Sequence, residues 1–230
     1  MAIADTKQTV LQIVNEVQRK LYLSTTSTTT DTRHATILVD LLNDVIEEVS
    51  DAGDWVELRS SAVVSAVSGQ GVYSLSVTGT AASINHIDEV RVSGRVPPLD
   101  LMDVSEHRRM ASLNSLGTPS RFAVVGEDVS GNPTVGVWPR PNDAGKTLHV
   151  HFYWKPRRYT AGTDDAEIVP LRSRMLVQGL LAKAILEENG GDETAKFKVA
   201  YAEYQKMLKQ SLNRFNSDTG NDVQFTPGWR

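Results

Sequence analysis

No cysteine occurs in the 230 residues, which excludes disulfides and thiolate chemistry without fixing a compartment. Apolar runs stay far short of the roughly 20 residues that a membrane-spanning helix needs, so no membrane insertion is expected. The start, "MAIADTKQTVLQIVNEV", lacks a basic stretch followed by an apolar core and does not read as a secretion signal. Positive charge is not in excess either. Lys+Arg number 24 against 28 Asp+Glu, net −4, which gives no reason to expect tight duplex binding through neutralised phosphates. Catalytic signatures are missing: there is no Gly-x-Ser-x-Gly elbow, no phosphate-binding P-loop and no His-Glu-x-x-His. With 40% hydrophobic and 23% charged residues, the composition is that of a soluble globular protein able to bury a core. No enzyme, cofactor or metal is expected.

What is present falls into helices, then strands, then helices, then a tail. Val10, Ile13, Val14, Val17 and Leu21 recur at helical spacing, with Asp5 or Thr6 as candidate cap. After the polar run "STTSTTTDT", Ile37, Leu38, Leu41, Leu42, Val45, Ile46 and Val49 form a wider stripe that stops near Gly53. Together they predict a helical hairpin over 1–54. From Trp55 the period changes to that of strands, and 55–160 is expected to be an antiparallel β domain of about six strands. Hairpins are expected around "SGQG", around "SGR", and around "RPNDAGK" between "TVGVWP" and "TLHVHFYW". "SEHRRMASLN" predicts a short helix capped by Ser105. Asp164, Asp165 and Glu167 precede the next helix, where carboxylates favour the helix dipole. The spacing over 161–215 predicts a second helical hairpin, broken at "ENGGDE" and recapped by Asp192, packing on the first. Residues 216–230 lose all periodicity. The expected fold is α+β: a helical bundle from both chain ends, an inserted antiparallel β domain and an extended C-terminal tail.

Four features invite a functional reading. His149 and His151 alternate on one strand as metal-binding pairs do, but no glutamate follows and Leu148, Val150, Phe152 and Trp154 make a core stripe opposite. A packed face and a polar face explain the pattern. Lys155, Arg157 and Arg158 interleave with Tyr153, Trp154 and Tyr159, which is the pattern of a single-strand nucleic-acid binder around residues 153–159. Charge is also segregated: residues 1–54 carry 4 Lys+Arg and 9 Asp+Glu, and residues 170–214 carry 8 and 5. Asp40, Asp44, Glu47 and Glu48 on one hairpin and Lys196, Lys198, Lys206 and Lys209 on the other could pair within one chain or between neighbouring subunits. Last, the polar tail ends in Val223, Phe225, Pro227, Trp229 and Arg230. Such a tip either anchors in another protein's pocket or folds back on its own core.

The order of these parts resembles a known family. "DAGDW" after a helical hairpin, "GTPSRFAVVG" and the "W-P-x-P" strand pair, the "I-V-P-L" helix start at Ile168–Leu171, and the loose tail are similar to head-to-tail adaptor proteins of tailed bacteriophages, including the tail tubular protein A type. The resemblance implies a structural virion protein at the head–tail junction. It implies a ring, expected to be dodecameric, seated on the portal protein. The C-terminal extension would dock into the portal, the β domain would face the tail nozzle or next tail component, and genomic DNA would pass through the lumen without sequence-specific binding.

Overall fold

The structure, a computed structural model, describes residues 7–76 and 81–219, with only the backbone for 81–82 and 214–219. The fold is α+β, as the patterning predicts. Two compact units divide the chain: one combines the chain up to Glu57 with the chain from Arg158 onward, and the other is Leu58–Arg157.

The first unit is helical. Helix α1 (Val10–Lys20) is started by a capping box in which Thr9 accepts from the Gln12 N–H and the Gln12 side chain accepts from the Thr9 N–H. Thr9 therefore takes the role expected of Asp5 or Thr6, which lie outside the described residues. Its end is a Schellman turn: the Tyr22 N–H bonds Arg19 O and the Leu23 N–H bonds Gln18 O at 2.8 Å. The left-handed position that glycine usually fills is held by Tyr22 at φ 61°, at a cost of about 1–2 kcal/mol for a residue with a Cβ. Helix α2 (Arg33–Asp51) buries Leu38, Leu42, Val45 and Val49 on one face.

Helices α4 (Ser173–Glu188) and α5 (Ala195–Thr219) complete the unit. Helix α4 packs against α1, α2 and α5 at once, so its buried residues Met175, Leu176, Val177, Leu180 and Ala184 are spread around much of its circumference. Gly179 makes the closest approach possible: a Cβ there would lie 2.8 Å from Val45 Cγ1 and 2.9 Å from Tyr204 Cε2. The α4–α5 break uses Gly190 at φ 63° as expected, but Thr194 rather than Asp192 bonds the first turn of α5, through the Phe197 N–H. Helix α5 also runs to Thr219, four residues past the loss of periodicity. A helix already anchored by packing propagates cheaply through Asn, Ser and Asp, whatever their weak propensity.

Loops in this unit are held by buried polar groups. Asn43, inside the apolar stripe of α2, accepts from the Tyr159 N–H at 2.7 Å and donates to Tyr159 O at 2.9 Å. Asp165 accepts from the backbone N–H of buried Thr29 at 2.9 Å, from its hydroxyl, and from the Gly162 N–H. Asp164 accepts from the Thr160 N–H. These carboxylates therefore staple loops rather than serving the dipole of α4. Trp55 also belongs here: it is buried and its indole donates to Val49 O at 2.6 Å, so the helical unit reaches past the change of period.

The second unit is a two-sheet β sandwich with one short helix. Strands β1 (Arg59–Ser65), β9 (Thr147–Pro156) and β3 (Ala81–Val92) form one sheet in the order β1-β9-β3, antiparallel throughout. Strands β2 (Val72–Ser74), β7 (Pro133–Trp138), β6 (Arg121–Glu127) and β4 (Asp100–Leu101) form the other, where β4 joins in parallel. A two-residue parallel pair, β5 (Leu116–Gly117) with β8 (Arg140–Pro141), lies beside them. Tyr73, Leu75, Val90, Val92, Phe122, Val135, Val137, Leu148, Val150 and Phe152 from both sheets share one core.

This topology overturns the three expected hairpins. The chain does turn at "SGQG", "SGR" and "RPNDAGK", but each turn carries it from one sheet to the other: β1 to β2, β3 to β4, β7 to β9. Turn residues specify a reversal of direction, and the partner is chosen by which face must be buried. Only β6 and β7 are consecutive partners, joined by a loop in which Asp128 accepts from the Ser130 and Asn132 N–H groups. The short helix α3 (Val104–Ala111) is present, capped by Asp103 instead of Ser105, with the Asp103 carboxylate accepting from the Ser105 N–H at 2.7 Å.

Candidate interaction surfaces

At 100° per residue, Asp40, Asp44, Glu47 and Asp51 fall within an arc of about 60° on α2, and all four are exposed. The core stripe of α2 faces α4, so this acidic ridge points away from the bundle. Arg158 reaches it, with Nη2 3.0 Å from Asp44 Oδ1 and Nη1 3.5 Å from Glu47 Oε2. These pairs are exposed and contribute about 0.2–1 kcal/mol each. Glu48 departs from the ridge. It is half-buried and pairs with Lys183 of α4 at 3.4 Å, beside the phenol of Tyr204, whose acidity burial and the Glu48 charge suppress. Glu48 is therefore an internal tie between α2 and α4.

The lysines of α5 divide as well. Lys198, Lys206 and Lys209 lie within an arc of about 80° on the exposed side, opposite buried Ala200, Tyr204, Leu208 and Ser211. Lys198 also pairs with Glu193 at 3.9 Å. Lys196 lies about 80° outside that arc and lines a groove beside the end of α1. One helical unit thus presents an acidic ridge on α2 and a basic ridge on α5, both turned outward.

The residues of the nucleic-acid pattern do not make one stacking platform. The ring of Tyr159 is buried and its backbone is held by Asn43. Trp154 packs against the sandwich core. Tyr153 stacks on His86, ring centroids 4.9 Å apart, and Arg158 is engaged by Asp44 and Glu47. His149 and His151 do share the outer face of β9, between Val63 and Arg91 and between Ser61 and Glu89 respectively. The Arg91 side chain bonds Glu89 and holds its carboxyl below the usual range, so the carboxylate opposite His151 already has a cation. Among the described residues no group of three or more His, Asp or Glu converges as a metal site, and no helix is long and apolar enough to cross a membrane. The tail residues Val223, Phe225, Pro227, Trp229 and Arg230 lie outside the described residues.

The helical unit thus carries two outward charged ridges, and the strand histidines lie on the outer face of a packed sheet. The family model of the SU10 adaptor protein matches residues 8–227. The chain therefore belongs to the SU10 adaptor protein family, and the resemblance to phage head-to-tail adaptors holds over nearly its whole length. Its role is that of a structural phage adaptor. No curated protein matches the chain.

Proposed function

We propose that the protein attaches to the portal ring as a head-to-tail adaptor, extends the DNA channel and offers the docking site for the tail. The observation that carries this reading is the family match across residues 8–227. The segregated charge supports the ring. A contact between the acidic ridge of one copy and the basic ridge of the next uses two different surfaces, and such heterologous contacts close into a ring when the rotation allows. A dodecamer is the expected closure. The net charge of −4 suits a conduit through which DNA slides without sticking.

The tail, through Val223, Phe225, Pro227, Trp229 and Arg230, is the portal anchor in this reading, and the sandwich unit meets the tail nozzle or next tail component. Deleting 220–230 leaves every described element in place and is expected to abolish attachment to portal rings while circular dichroism stays unchanged. Attachment at full strength by the truncated chain refutes the anchor. Binding of single-stranded DNA at low salt, lost on raising it, would instead favour the nucleic-acid reading.

A further inference from the structure

We infer that two copies of the unassembled protein pair through the edge strand β1, antiparallel and about a two-fold axis at Ala62. The Ala66 N–H bonds Lys146 O at 2.9 Å and so continues the β1–β9 ladder beyond Ser65. Alternation from that bond turns the backbone groups of Ser60, Ala62 and Val64 to β9, and those of Arg59, Ser61, Val63 and Ser65 to solvent. Among the described residues no strand lies on this side of β1, and these last residues are all exposed, Val63 to 61%. The other edges of the two sheets are protected as sheet edges usually are. Strand β3 carries three register shifts and the charges of Asp88, Glu89 and Arg91, while β2 has three residues and β4 two. Strand β1, "RSSAVVS", is seven residues long and pairs with β9 without a shift. Its one charge does not guard it. Arg59 Nη2 lies 2.9 Å from Asp88 Oδ2 on β3, beyond β9, so the guanidinium is turned over the sheet and off the edge.

A row of unpaired N–H and C=O groups takes another strand, and the sequence of β1 fits a second β1. With Ala62 on the axis, Ser61 of one copy stands beside Val63 of the other, and Arg59 beside Ser65. Every outward N–H and C=O then finds a partner, and no like charges face each other. On the core side Ala62 meets its own copy and Ser60 meets Val64, which covers the half-exposed side chains of Ala62 and Val64. The two three-stranded sheets become one, in the order β3-β9-β1-β1-β9-β3. Such a contact uses the same edge of both copies, is closed at two, and withholds the bare edge from other strands. Seven residues make a strip about 23 Å long, too small for the roughly 1,200 Å² of a permanent interface. The dimer is therefore weak and can part when the protein assembles. The inference does not depend on portal attachment, and its test needs no portal.

The absence of cysteine makes a cross-link decisive. Facing residues that do not exchange hydrogen bonds have Cα atoms about 4.5 Å apart, within disulfide range. Full-length Ala62→Cys, oxidised gently at about 100 µM, where a weak contact is populated, is expected to give a disulfide-linked dimer in most molecules. Ser60→Cys alone and Val64→Cys alone are expected to react at least about fivefold more slowly, because each position faces the other. A mixture of those two should cross-link, mainly between unlike copies. Adding Val63→Lys to Ala62→Cys sets the lysine diagonal to Arg59 and to its own copy, and should slow the reaction severalfold at low salt. Equal rates for the three single variants, no dimer from Ala62→Cys, a mixture that stays uncrosslinked, or indifference to Val63→Lys would overturn the inference. If a cysteine variant fails to fold by circular dichroism, sedimentation of the native protein and of Val63→Lys over the same concentrations answers the same question. The native chain should associate weakly to a dimer and the variant stay monomeric, and equal behaviour of the two would overturn it.

Discussion

Gly179 is where the packing of the helical unit is most sharply testable. A glycine inside a helix ordinarily costs about 1 kcal/mol relative to alanine, so Gly179→Ala would normally stabilise. Here the added methyl would lie 2.8 Å from Val45 Cγ1 and 2.9 Å and 3.1 Å from the Tyr204 ring. Both neighbours are fully buried and have nowhere to move. Overpacking of this kind costs about 1–3 kcal/mol, so after the propensity gain of about 1 kcal/mol the net loss is about 0–2 kcal/mol. At this chain length that corresponds to a fall in Tm of up to a few degrees. Urea unfolding followed by the far-ultraviolet helix signal measures it. Val45→Ala opens the space the methyl needs, so it should cost less in the Gly179→Ala background than in the native one, a coupling of at least about 0.5 kcal/mol. A gain of stability in Gly179→Ala, or strict additivity with Val45→Ala, would refute the three-helix contact. Because this contact sets how α2 and α5 rest on α4, the same substitution should also weaken assembly.

Other consequences are as specific. Removing the Asp165 carboxylate with Asp165→Ala strands the backbone N–H and hydroxyl of buried Thr29, and should cost about 2–4 kcal/mol by chemical denaturation. His107 is buried against Gly136 in the sandwich, and burial, with the Arg140 charge, holds its pKa below 6.5. Its folded pKa is depressed, so the stability it contributes is present above 6.5 and is lost as pH falls from 6.5 through the folded value. The sandwich should therefore melt at lower temperature at pH 5.5 than at pH 7, and His107→Gln should flatten that dependence. Reversing the acidic ridge with Asp40→Lys and Glu47→Lys should weaken occupancy of portal-bound rings by about tenfold. Adding Lys206→Glu and Lys209→Glu should restore it if the two ridges meet between copies, whereas unchanged occupancy in either variant removes them from the interface.

The helical unit was largely legible in the sequence because its signal is periodic. Leu38, Leu42, Val45 and Val49 announce a buried face whatever the partner. The start of α1 was misplaced: Asp5 or Thr6 was expected as cap, although Thr9 and Gln12 have the spacing of the capping box that forms. Strand pairing was not. "RPNDAGK" reads as a hairpin loop because Pro, Asn, Asp and Gly specify a reversal, yet β7 and β9 belong to opposite sheets. Alternation along β9 showed that Leu148, Val150 and Phe152 face inward, and left open which strands lie beside them. Asn43 gave no signal at all: a polar residue in an apolar stripe looks like a fault until Tyr159, 116 positions away, supplies both halves of its hydrogen bonding. Charge segregation was visible as a sum, but only the helix geometry separates Glu48, tied to Lys183, from the outward ridge of Asp40, Asp44 and Glu47. The groove beside Tyr22 depends on where α1 stops relative to α4, which no local pattern encodes.

The central claim is that this chain is a head-to-tail adaptor that builds its ring on the portal. The direct measurement is electron microscopy of the purified full-length protein, alone and mixed with the portal ring of its own phage. The expected result is monomers or weak oligomers alone, and a single closed ring of copies seated on the portal in the mixture. Portal rings that remain bare, or closed rings of the protein formed without any portal, would contradict it.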